Sequence, residues 1–160
     1  MGTTDRDQLL VELRLTYDGA LDTRGMSNAL VSGEQRRWIE SDLRRQFEER
    51  GIELYLGSEG RHGYQDGQFY KQLAELLALA MSANVHAMIT QLAPVVCPIY
   101  CQLKKERKLS SEGFQLAVSV ADALVAARMQ IPVPVAQIAV YVVKNHVLDH
   151  CCSCEGGATT

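Results

Sequence analysis

The sequence predicts an α+β fold that is predominantly helical: a small N-terminal sheet of two or three strands packed with a bundle of four or five helices. Three observations lead there. Apolar side chains alternate between residues 9 and 17. A short apolar run follows at 52–56. From about residue 68 apolar positions recur at helical spacing, punctuated by proline and glycine.

The first strand is read at Leu9–Tyr17, LLVELRLTY, where Leu9, Val11, Leu13, Leu15 and Tyr17 alternate with Leu10, Glu12, Arg14 and Thr16. Asp18-Gly19 closes it as a turn. A short helix is expected near Met26–Val31, then a longer one over Gly33–Arg50. Ser32 stands where an N-cap is needed, with Gln35 three residues on in the capping-box position. Trp38, Ile39, Leu43 and Phe47 fall on one side of this helix, and Gly51 ends it. Ile52–Leu56, IELYL, reads as the second strand.

The glycine-rich stretch Gly57–Gly67, GSEGRHGYQDG, is either the turn of a hairpin, with Gly63–Tyr70 returning as a third strand, or a loop entering the next helix. As a loop, its backbone amides and Arg61 would suit an anion, but it lacks the Gly-Lys-Ser/Thr ending of a phosphate loop and a correctly spaced GxGxxG. Glu59, His62 and Asp66 are acid–base residue types there, with nothing to indicate a substrate. A long helix is expected from about Gln68 to Leu92, continuing to Lys108 with interruptions at Pro94 and Pro98. Ser110 is positioned to cap a helix over about Ser111–Gln130, and IPVPV at 131–135 breaks the chain. The last helix should run from Pro134 to His150 with proline in its first turn.

These elements make one domain over 1–150, with a strand-and-helix part (1–70) and an apolar helical part (71–150). A Cys-rich and then flexible tail is expected over 151–160. With 160 residues, 47% hydrophobic and only 22% charged, the chain has the material for a sizeable core. A net charge of -3 and the absence of a basic face argue against a nucleic-acid partner. The start, MGTTDRDQ, has no basic region leading into an apolar stretch, and Arg6 stands where myristoylation requires Ser or Thr. A cytoplasmic, reducing location is therefore expected, with the five cysteines as free thiols or ligands rather than a disulfide framework.

No charged side chain occurs between Glu75 and Lys104, a length that would span a bilayer. Ser82, Asn84, His86, Thr90, Gln91 and Gln102 interrupt it, so buried helices of a soluble bundle are the preferred reading and membrane association the alternative. His86 is expected to be a core or interface histidine.

The densest chemistry is HVLDHCCSC at 146–154. On one continuous helix His146 and His150 are four apart on a common face, and Cys151, Cys152 or Cys154 could supply thiolates; zinc is the cofactor such nitrogen and sulfur donors would take. Cys97 and Cys101, also four apart, would join the site if the fold brought them near; otherwise they are small buried apolar groups. No CxxC knuckle and no zinc-finger spacing is present. The competing readings are thiol redox chemistry, S-acylation, and a helix that simply stops before a frayed tail. No nucleophile, base and orienting acid assemble in the sequence, and no GxSxG occurs. The functional expectation is therefore a non-enzymatic interaction or regulatory module that self-associates or binds a protein partner. A zinc-type metal protein and a membrane-associated helical protein are the alternatives.

Overall fold

The alternating segment at the N-terminus is a helix, not a strand. In the computed structural model, which describes residues 3–54 and 64–154 (side chains from 5–54 and 66–154), α1 spans Thr3–Asp18. It is followed by α2 (Thr23–Leu30), α3 (Gly33–Glu49), α4 (Tyr64–Thr90), α5 (Ala93–Lys105), α6 (Gly113–Ala126), α7 (Val135–Lys144) and α8 (Val147–Cys151). Among the described residues there is no strand, so the α+β expectation gives way to an all-helical fold. Residues 52–54 have no regular structure, and residues 64–70, taken as a returning strand, open α4. The rest of the expected second strand, and Glu59, Arg61 and His62, lie outside the described residues.

The physical reason lies in a sequence that satisfies two periods at once. Leu13 is fully buried, and Leu9, Leu10 and Tyr17 are half-buried, at helical spacing; Val11 and Leu15, which completed the alternation, are 60% and 69% exposed. Between 9 and 17 only Val11 and Thr16 are β-branched, while leucine, glutamate and arginine favour a helix.

The chain divides into two units, with the division inside α4 between Asn84 and Val85. The first comprises Thr23–Asn84. Its core is a stripe on α4, Phe69, Leu73, Leu77 and Met81 at four-residue steps, with Leu43 and Phe47 of α3 and Met26 and Val31. Phe47 and Phe69 meet edge to face, centroids 5.6 Å apart at 84°. Ser32 caps α3 as expected, its Oγ accepting from the Gln35 N–H at 3.0 Å. The Gln35 amide oxygen instead accepts from Asn84 Nδ2, which also donates to the Leu30 carbonyl at 2.8 Å and so ties all three helices. Gly51 ends α3 at φ +76° in a Schellman turn: its N–H donates to Glu48 O, and Ile52 N–H to Phe47 O. Ile39 faces inward with Leu43 and Phe47, but Trp38, one residue round the helix, is 68% exposed.

The second unit comprises Met1–Asp22 and Val85–Thr160. Its centre is α7, buried at Ala136, Ile138, Ala139, Val140, Tyr141 and Val142 and packed against α1, α6 and α8. Tyr17 meets Phe114 edge to face at 5.7 Å, and a Cβ at Gly113 would strike the Tyr17 hydroxyl unless that ring moved. The Arg14 guanidinium lies over the Phe114 ring, 3.7 Å from its centroid. Ser110 caps nothing: α6 starts later, after an N-cap at Glu112 without a side-chain bond.

The expected last helix is two helices. His146 sits between α7 and α8 in the left-handed conformation, φ 54°. Beyond the break Val147 and Leu148 are buried, seven residues after the buried Val140 and Tyr141. The left-handed turn costs about 1 kcal/mol at a non-glycine residue.

Candidate functional site: a cysteine and histidine cluster

The C-terminal segment folds back onto α5. Cys97 is disulfide-bonded to Cys152 and Cys101 to Cys154, and Cys151 is the one free thiol. The fold dictates this arrangement. The buried edge of α5 is Leu92, Val96 and Tyr100, and Cys97 and Cys101 follow one residue later at the edge of that stripe, half-buried. Val147 and Leu148 anchor α8 in the same unit, which delivers the tail to them. The expectation of free thiols thus gives way to pairing for four of the five cysteines.

A hydrogen bond fixes the register of α8. Tyr100, only 4% exposed, donates its hydroxyl to the Asp149 carboxylate. Burial, and then this bond to a carboxylate, raises the Tyr100 phenol well above its ordinary value. A group whose folded pKa is raised contributes stability that is present below its unfolded value, about pH 10, and is lost as pH rises beyond it. Tyr100→Phe is expected to lower stability by about 1 kcal/mol at neutral pH, the carboxylate being partly solvated. That difference should shrink above about pH 10. Urea denaturation of both proteins across neutral and alkaline pH checks this; a difference that widens above pH 10 contradicts it.

Cys151 Sγ lies 3.6 Å from His86 Nε2 and 3.8 Å from Thr90 Oγ1, both in the last turns of α4. Its carbonyl oxygen is 3.9 Å from Cys97 Sγ. His150 approaches His86, ring centroids 6.3 Å apart. His86, read from the sequence as an isolated core or interface residue, therefore belongs to the cluster. The available signal was the His86–Thr90 spacing of four, which puts both on one helical face.

The sequence-derived donor set divides. Cys154, Cys97 and Cys101 are brought together, but as disulfides. Cys151 and His150 lie near His86. His146 does not share a helical face with His150: it precedes α8, is 76% exposed, and points its Nδ1 toward Asp149 at 4.0 Å. Among the described residues no three His, Cys, Asp or Glu side chains are arranged to hold a metal ion. Cys152, the other thiolate the sequence offered beside Cys151 and Cys154, is paired with Cys97.

The class these features define is an all-helical protein with a disulfide-bonded cysteine cluster. No family model matches the chain, and no curated protein or solved structure shows significant similarity to it.

Proposed function

We propose that this protein is a non-enzymatic interaction module that self-associates through the outer face of α3 and α4. The observation that carries the reading is a groove of about 510 Å³ on the unit Thr23–Asn84, bearing Trp38, 68% exposed, Leu79, 67% exposed, and Leu76, 36% exposed. Apolar side chains this open are costly unless covered. A second copy suits the groove because its rim holds both charge signs, Lys71 with Asp42 and Glu75. In a two-fold contact the same patch faces itself, so the lysine of each copy meets the carboxylates of the other. The same α4 passes the length and apolarity test for a bilayer span, so a lipid surface is the competing occupant.

Trp38 is the only tryptophan and therefore reports on its own burial. Its emission is expected to shift to shorter wavelength with rising protein concentration, in step with dimer formation in sedimentation velocity. Leu79→Glu should weaken association by roughly a hundredfold or more, two leucines at about 1.5 kcal/mol each leaving the contact. A monomer at all concentrations, or a shift produced by phosphatidylcholine vesicles and not by concentration, overturns the proposal.

A further inference from the structure

The two disulfides join the same two segments, Cys97 and Cys101 of α5 to Cys152 and Cys154 of the tail. Residues four apart lie on one face of a helix, and residues two apart on one face of extended chain. Cys152 is extended, at φ −111° and ψ 133°. The bonds are thus neighbouring rungs, each with its Cα atoms 5.4 Å apart. Cys97, Cys101 and Cys154 border one cavity of about 680 Å³, whose lining among the described residues includes Lys104 and Lys105 but no carboxylate.

We propose that in the reduced protein these four thiols form a tetrathiolate site for a soft divalent cation of the zinc type, so that disulfide pairing and metal binding are alternative states of the same four sulfurs. For each disulfide a dithiol supplies two electrons and two protons; the protein S–S bond breaks, two S–H groups form, and the dithiol becomes a disulfide. Zn²⁺ then displaces four thiol protons, and the product carries a net charge of −2, which Lys104 and Lys105 are placed to offset. A tetrahedron with Zn–S near 2.3 Å sets its four sulfurs about 3.8 Å apart. Soft thiolates favour zinc over calcium or magnesium. Oxidation by hydrogen peroxide reverses the sequence: for each S–S bond formed, two thiolates give up two electrons, one hydrogen peroxide takes them with two protons from solvent and becomes two waters, and the cation is released.

The test uses the full, untagged chain, reduced with a dithiol under anaerobic conditions and titrated with Co²⁺. One cobalt per chain is expected, with the visible and charge-transfer bands of tetrahedral thiolate cobalt, displaced stoichiometrically by Zn²⁺. Cys101→Ser and Cys152→Ser should each destroy that spectrum and weaken binding by more than about a hundredfold. Cys151→Ser, His86→Ala and His150→Ala should leave it unchanged, and the oxidised chain should bind no cobalt. If the reduced apoprotein loses helicity by circular dichroism, cobalt should restore it. Failure of the reduced chain to take up stoichiometric cobalt overturns the proposal, whether it is folded or not. So does binding that Cys151→Ser or His150→Ala abolishes, or equal binding by the oxidised chain.

Discussion

Loss of both disulfides is expected to lower the stability of the oxidised protein by about 6 kcal/mol, although loss of either alone should cost only about 2 kcal/mol. The asymmetry follows from the chain path. The bonds close loops with separations of 55 and 53 residues, and they interleave along the sequence. In the unfolded chain the first cross-link restricts a long loop, a loss of about 4 kcal/mol of conformational entropy. Once it exists, the second closes only a small ring through Cys97–Cys101 and Cys152–Cys154, worth about 2 kcal/mol. Removing one bond therefore loses the small-ring contribution, and removing both loses everything. Against a typical total of about 5–15 kcal/mol, the second loss brings the fold close to its limit. Urea denaturation of Cys101→Ala/Cys154→Ala, Cys97→Ala/Cys152→Ala and the fourfold variant, all with Cys151→Ala to prevent re-pairing, measures this directly. Two pair-wise losses that simply sum to the fourfold loss would show the cross-links to be independent.

Much of the helical scaffold was legible in the sequence. Ser32 with Gln35, Gly51, Pro94 and Pro134 mark helix ends chemically, and α3, α4, α5 and the start of α7 lie close to where those signals place them. Two elements were not legible. In α1 the alternating set and the helical set share Leu9, Leu13 and Tyr17, and only packing leaves Val11 and Leu15 outside. At 134–151 the spacing of Val140, Tyr141, Val147 and Leu148 fits an unbroken helix, and no glycine or proline marks the left-handed break at His146. That break separates His146 from His150, so the histidine pair disappears with the helix that implied it. The cysteine cluster was half legible. Both Cys97–Cys101 and Cys152–Cys154 have same-face spacings, but their meeting is a tertiary event that no local signal encodes.

In the unit Thr23–Asn84 the largest single loss is expected from Phe69→Ala, about 3–5 kcal/mol. Phe69 is fully buried, its ring set edge to face on Phe47, which is itself 1% exposed. The Arg44 guanidinium lies 6.0 Å from the Phe69 centroid and closes the solvent side. Truncation removes the ring's transfer free energy and leaves a cavity between α3 and α4 that two helices pinned by the Ser32 cap and the Asn84 bonds are poorly placed to collapse. Phe69→Leu, which refills most of the volume, should cost about 1–1.5 kcal/mol. A double-mutant cycle with Phe47→Ala should give a coupling of about 0.5–1.5 kcal/mol, the aromatic contact beyond its buried area. Denaturation followed by circular dichroism supplies the magnitudes, and hydrogen exchange supplies the location. Amides of α3 and of the Phe69–Met81 stretch should lose protection more than those of α6 and α7. A Phe69→Ala loss below about 1 kcal/mol would mean that the α3–α4 core relaxes around the missing ring and that this aromatic pair does not hold the unit together.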